Sequence, residues 1–247
     1  SGSPLKGRMM PQEKCESSPS VHACIVSLVR SVESEGFLFK LIIRMIVRLG
    51  TMPPTEIVAV FRPPDYDAAG TNDMQIEFGE YKIRDWAMED AAAIIRYANN
   101  HRIAMWLRDR FPSPYTTADA NNFLAVVTRQ DPRTAFAIAT PREAIGGIGL
   151  DFGDDVHRFT AELGYWLAEP FWGRGIMTDA VRLFTAWAFE NLKLYRIFAS
   201  VFDGNTASMG VLEKAGFVRE GRLRAGVFKN GKILDQLLYA KVKEGIM

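Results

Sequence analysis

Gly173 and Gly175 stand in the segment Pro170-Phe171-Trp172-Gly173-Arg174-Gly175-Ile176-Met177-Thr178; a glycine pair alone is more often an ordinary turn than a nucleotide site, and the flanks decide between the two. The glycines separate a strand-like run, Ala161 to Ala168, from a helix-like run, Met177 to Leu192. A turn of this kind gathers free backbone N–H groups at the positive end of a helix dipole, where phosphate oxygens bind. Glycine lets the backbone approach a diphosphate with no Cβ in between. Two common phosphate patterns are excluded. The Walker ending Gly-Lys-Ser/Thr is absent, and G-x-G-x-x-G fails because Thr178 stands at its third glycine. The acidic residue expected about 20 residues further on for a ribose hydroxyl is also missing, since Lys193 to Arg196 is basic.

Other candidate groups lie on the flanking elements. On a strand, Glu162, Gly164 and Trp166 share one face, with Gly164 leaving room beside the carboxylate. Tyr195 to Val201 reads as a buried strand, and Ala207 to Ala215 as a short helix stopped by Gly216. Asn205 and Ser208 sit where that helix begins. Each group also has an ordinary structural reading. Glu162 suits a solvated strand position or an ion pair with Arg158. Asn205 suits a helix N-cap, with Ser208 in the first turn. Arg174 either reaches a phosphate or is solvated, and Thr178 caps or packs.

Taken together, these pieces resemble the GNAT N-acetyltransferases, in particular their RimJ/RimL branch. The turn reads P-F-W-G-R-G against Q/R-x-x-G-x-G/A, with Pro170 in the Q/R place. That departure is tolerable where backbone N–H groups supply most phosphate contacts. Upstream stands Ala161-Glu162-Leu163-Gly164-Tyr165-Trp166, similar to the branch's A-E-x-G-Y-W strand. Downstream, Asn205 to Ser208 and Val211-Leu212-Glu213-Lys214-Ala215-Gly216-Phe217 resemble N-x-x-S followed by L-x-K-x-G-F. The resemblance covers roughly Phe78 to Lys243.

The resemblance implies an acetyl-CoA-dependent N-acetyltransferase working by direct attack of an amine in a ternary complex, with acetyl-CoA as co-substrate and no metal. The acceptor is an amine-bearing small molecule or peptide, a protein N-terminus being one case. The diphosphate is assigned to N–H groups of Trp172, Gly173, Arg174, Gly175, Ile176, Met177 and Thr178. The pantetheine arm would lie beside Glu162 to Leu167, where a splay from Arg196 to Val201 admits the thioester. An N–H near Trp166 or Leu167 would bond its carbonyl, and Asn205 would hold the pantetheine amide or the loop. Glu162 is the candidate general base, directly or through water. Ser208 is the candidate donor to the leaving sulfur, by default, because no tyrosine occurs between Tyr195 and Tyr239. Trp106, Arg108 and Asp109 in the Ile103–Tyr115 loop, and Asp235 further on, are candidate acceptor contacts. No cysteine lies near the motif to support an acyl-enzyme route. The alternative is a non-catalytic acyl-CoA-binding sensor or interaction module, which needs the glycine turn but neither Glu162 nor Ser208.

The 247 residues are 48% apolar and 11% aromatic, enough for a sizeable core, and the net charge of +1 gives no general pull toward nucleic acid or anionic lipid. His22, His101 and His157 are scattered, and Cys15 and Cys24 lack zinc spacing. Residues 1–73 read as an N-terminal extension and linker, partly disordered or helical, that includes leader or cloning-derived sequence, with Met52 an alternative start. Within it, Phe37 to Leu49 carries Lys40, Arg44 and Arg48 and is too short to cross a membrane. Packing on the domain or on a second subunit is the expected use of this segment, and membrane-surface or organelle targeting the alternative. A cytoplasmic monomer or homodimer is expected.

Residues 74–247 form the expected catalytic domain. The spacing predicts a first strand over Phe78–Trp86, helices over Glu89–Asn99 and Thr117–Arg129, and strands over Thr134–Thr140 and Ala144–Phe152. After the Asn205 loop and its helix come two strands around Asn230-Gly231, a strong hairpin signal. The expected architecture is α/β (α+β), a mixed and mostly antiparallel central sheet with helices on both faces, as in the GNAT fold.

Overall fold

Gly79 adopts φ 59° and closes a tight turn between β1 (Gln75–Phe78) and β2 (Tyr81–Asp85), with Phe78 opposite Tyr81. The single strand expected over Phe78–Trp86 is therefore an antiparallel hairpin whose first arm starts earlier. The computed structural model describes residues 74–245. The expectations for residues 1–73, the basic segment Phe37–Leu49 among them, lie outside the described residues.

Three helices follow: α1 (Ala91–Ala98), α2 (His101–Ala104) and α3 (Thr117–Val127). Their ends are set by side chains. Asp90 takes two 2.7 Å bonds from Arg84 and one of 2.9 Å from the Ala87 N–H, fixing the entry to α1. Asn100 accepts the Arg102 N–H at 2.8 Å and caps α2. Thr116 and Asp119 form a reciprocal capping box at α3, with bonds of 3.3 and 2.8 Å.

Eight strands make one sheet among the described residues, in the order β1-β2-β3-β4-β5-β6-β8-β7. Strands β3 (Ala135–Ala139) and β4 (Ala144–Phe152) lead into β5 (Thr160–Leu167). Helix α4 (Ile176–Asn191) then crosses to β6 (Arg196–Phe202), and α5 (Thr206–Lys214) precedes the hairpin of β7 (Val218–Lys229) and β8 (Lys232–Val242). Asn230 (φ 49°) and Gly231 (φ 75°) provide the two left-handed residues that a tight hairpin turn requires.

Strand alternation sends β3 side chains to two cores. Ala137 joins Ile94 of α1 and Leu124 of α3 on one face, while Phe136 and Ile138 join Val181 and Phe184 of α4 on the other. Helices thus cover both faces. Trp187 stacks on Phe184 at 5.8 Å and belongs to the α4 core. No helix among the described residues is long and apolar enough to cross a membrane.

The parallel pair β5/β6 positions the site. β5 pairs with β4 along its length, from Phe152 opposite Ala161 to Gly146 opposite Leu167. With β6 it pairs only through Thr160–Arg196, Ala161–Ile197 and Glu162–Phe198. β6 meanwhile stays paired with β8 as far as Phe202–Gln236. Beyond Glu162 the two strands part, and a wedge opens in the middle of the sheet.

Candidate active site

The glycine turn sits at the open end of this wedge. After β5 the chain makes one short turn, Glu169–Phe171, and the Trp172 indole Nε1–H donates to the Leu167 carbonyl at 2.7 Å. Gly173 and Gly175 follow at φ 75° and 80°. Left-handed backbone costs an L-residue about 1–2 kcal/mol, so glycine is required by conformation. No atom lies within 4 Å of where a Cβ would stand at either position, which leaves the backbone open to a ligand. Gly175 is the N-cap of α4 and supplies no side-chain cap. The first helical bond is from Asp179 N–H to Gly175 O, at 3.1 Å. The N–H groups of Ile176, Met177 and Thr178 are therefore left without an intrahelical acceptor. Arg174 turns away: it donates to the Pro170 carbonyl at 2.9 Å, lies 5.4 Å from the Phe171 ring centroid, and does not line the cavity.

A continuous cavity of about 1290 Å³ runs from this turn through the wedge to the Ile103–Tyr115 loop. Its walls bring together Trp172, Gly173, Gly175, Ile176, Met177 and Thr178 at one end and Trp106, Arg108 and Glu162 at the other. Trp166, Leu167, Asn205 and Ser208 line it between them. Backbone direction separates Trp166 from Leu167. Ala168 N–H donates to Ile145 of β4 at 2.8 Å, and donors alternate along a strand. The Trp166 N–H therefore faces β4, and the Leu167 N–H faces the wedge. The Trp166 indole instead covers β4, where a Cβ on Gly147 would come within 2.8 Å of its Nε1.

Asn205 caps α5, its Oδ1 accepting the Ser208 N–H at 3.2 Å. The Ser208 hydroxyl lies 2.8 Å from the Tyr165 hydroxyl. Burial pushes the Tyr165 phenol well above the usual tyrosine range, the bond with Ser208 pulling the other way. Tyr165 lies outside the Tyr195–Tyr239 interval on which the sequence assigns the sulfur contact to Ser208 by default. The available signal was alternation, which puts Tyr165 on the face of β5 opposite Glu162. The helix that meets it there was not readable from spacing.

Glu162 is half-buried and is engaged by the Arg108 guanidinium in a short ion pair. Asp151, opposite Glu162 on β4, lies 3.6 Å from Arg108 and 2.5 Å from Arg110. The ion-pair partner of Glu162 is thus Arg108 and not Arg158, which donates to the Asp155 carbonyl at 2.9 Å and covers the Phe159 ring. Trp106 leans on Gly204, where an added Cβ would be 3.4 Å from the indole. Asp109 accepts from Lys229 of the hairpin tip at 2.7 Å and does not line the cavity. Asp235 does not line it either. It accepts from the Ala225 N–H at 2.8 Å and from Arg222 at 2.5 Å, and these bonds hold its carboxyl below the usual range. Its neighbour Gln236 takes the lining position. No group of three or more His, Cys, Asp or Glu side chains suited to a metal ion occurs among the described residues.

Comparison with known proteins identifies the family. The chain is 42% identical over 98 residues to YdaF of Bacillus subtilis (strain 168), a match that spans 40% of this chain and 53% of that protein. The chain spans about half the length of the curated relatives it matches first. Among solved structures, the ribosomal-protein-S5-alanine acetyltransferase from Vibrio fischeri superposes with a TM-score of 0.62 at 26% identity, covering 70% of this chain and 98% of that one. Mycobacterium smegmatis RimJ in complex with CoA-disulfide gives a TM-score of 0.59 at 27% identity, covering 67% of this chain and 83% of that one. Residues 81–218 match the model of the acetyltransferase (GNAT) domain, and the chain belongs to that family.

Proposed function

We propose that residues 74–247 form an acetyl-CoA-dependent N-acetyltransferase that acts on a primary amine, with a protein N-terminus as the favoured acceptor. The observation that carries this reading is the single cavity joining the unpartnered amides at the start of α4 to the Glu162 carboxylate. The Vibrio fischeri neighbour, by its description, acts on a ribosomal protein, and this supports a protein acceptor.

The geometry supports a role for each residue in this reading. Main-chain amides from Gly173 to Thr178 hold the diphosphate. The β5 edge facing the wedge takes the pantetheine arm as an added strand. The Leu167 N–H points where the thioester oxygen would lie, and one such donor is worth roughly 2.7–4 kcal/mol to the transition state. Glu162 takes the proton of the ammonium, directly or through water, leaving a neutral amine to attack. Arg108 occupies the carboxylate beforehand, so the incoming ammonium competes with it. Ser208 donates to the sulfur as the C–S bond breaks.

The test is release of free thiol from acetyl-CoA across a panel of N-terminal peptides and small amines, with Glu162→Gln in parallel. The reading expects turnover by the wild type on at least one peptide, and its loss in the variant with coenzyme A binding kept. Coenzyme A binding without turnover on any amine would instead support an acyl-CoA-binding module.

A further inference from the structure

Tyr165 is a half-buried polar side chain in the cavity wall that has no part in the roles just given. Its hydroxyl has two oxygens of Ser208 within reach, Oγ at 2.8 Å and the main-chain carbonyl at 3.4 Å. The shorter contact is much the stronger hydrogen bond, and either hydroxyl can be its donor. The Ser208 N–H is already given to Asn205. With that N–H engaged and the phenol donating to Oγ, Ser208 would have one free donor, its own O–H. Ser208 lines the cavity, which puts that O–H within reach of a ligand there.

We propose that Tyr165 is a positioning residue that aims the Ser208 hydroxyl at the departing sulfur. The proposal rests on the transferase reading above. Burial keeps the phenol protonated, so Tyr165 acts as a donor to Ser208 and not as the acid. The electron pair of the broken C–S bond goes to sulfur, and the Ser208 hydrogen bond disperses that charge. No proton leaves Ser208 or Tyr165. The amine nitrogen bonds to the carbonyl carbon as the C–S bond breaks, and of the two protons that the ammonium nitrogen gives up, one passes by way of Glu162 and solvent to the thiolate and the other is released to solvent. Two elements 43 residues apart in sequence, β5 and α5, thus meet behind the leaving group.

The experiment compares Tyr165→Phe, Ser208→Ala and the double variant in thiol-release kinetics, with coenzyme A binding measured by calorimetry. A charge-assisted hydrogen bond aimed at the sulfur predicts that Tyr165→Phe loses about tenfold in kcat. The KM for acetyl-CoA and the Kd for coenzyme A should stay within about twofold, since the contact matters only in the transition state. The double variant should be no slower than Ser208→Ala, because the phenol works through the hydroxyl. A Tyr165→Phe enzyme with wild-type kcat, or losses that multiply in the double variant, would overturn the proposal. Loss of the alkaline limb of the rate profile in Tyr165→Phe would make the phenol the acid and overturn it as well. Full activity of Ser208→Ala would remove the Ser208 role and this proposal while leaving the transferase standing. Absence of turnover by the wild type on every amine would defeat the transferase reading itself.

Discussion

The glycine turn offers main-chain amides at the start of one helix, whereas the opposite end of the cavity is built of charged side chains from three separate segments. Gly173 to Thr178 build the first end with a helix N-terminus and two left-handed residues. Arg108 from the loop after α2, Asp151 from β4 and Glu162 from β5 build the second. Around it, Lys229 at the hairpin tip ties down Asp109. A site of backbone amides needs the right φ values and tolerates change in its side chains. A site of ion pairs depends on which long side chains happen to meet, and one substitution can retune it. A shared coenzyme suits the first design, and a variable acceptor the second.

The comparison can be broken by substitution. The largest effect is expected at Glu162, the proposed general base, since removing such a group costs roughly 10²–10⁴-fold in kcat. Glu162→Gln should show that loss in thiol release while its Kd for coenzyme A stays unchanged. Gly175→Val comes next and acts on the other end. A β-branched residue at φ 80° carries a strain of about 1–2 kcal/mol and places methyl groups in the open space proposed for the phosphates. Its Kd for coenzyme A should rise by about tenfold or more.

Arg108→Ala probes the acceptor end more finely. If the guanidinium only shields Glu162, its removal should lower the acceptor KM by up to about fivefold, the range of a partly exposed ion pair. A raised KM would show that Arg108 grips the acceptor itself. Asp235→Asn sharpens the distinction between the hairpin and the cavity. The Asp235 carboxyl is held below its ordinary value by the Ala225 N–H and Arg222, so its stabilisation is present above the unfolded value of about 3.9 and is lost as pH falls through the folded one. The variant should melt lower than wild type at neutral pH, with the two midpoints converging in acid and acceptor KM unaffected. The smallest effect is expected for Arg174→Ala. Its side chain points back to Pro170 and Phe171, so coenzyme A affinity should stay within about twofold.

The same contrast explains what the sequence made legible. The β5–turn–α4 unit is local, and its chemistry follows from glycine spacing between a strand and a helix. The β7/β8 hairpin was equally readable, since Asn230-Gly231 demands one turn type. The β1/β2 turn was missed because Phe78-Gly79-Glu80-Tyr81 carries no such dipeptide, and only the φ of Gly79 reveals the fold-back. Glu162 was picked out from its strand, but its partner was not: Arg158 is near in sequence, while Arg108 lies 54 residues away. Asp109 and Asp235 were named as acceptor contacts from their loop and strand, and tertiary pairing with Lys229 and Arg222 takes both off the cavity wall. Tyr165 has a related explanation, since its significance lies in meeting Ser208 of α5, which is distant in sequence.

Calorimetric titration of coenzyme A into the wild-type protein and into Gly175→Val tests most directly whether amides at the start of α4 hold the diphosphate. The account predicts saturable one-to-one binding by the wild type and at least about tenfold weaker binding by the variant. No saturable binding by the wild type, or equal affinity in the two proteins, would contradict it.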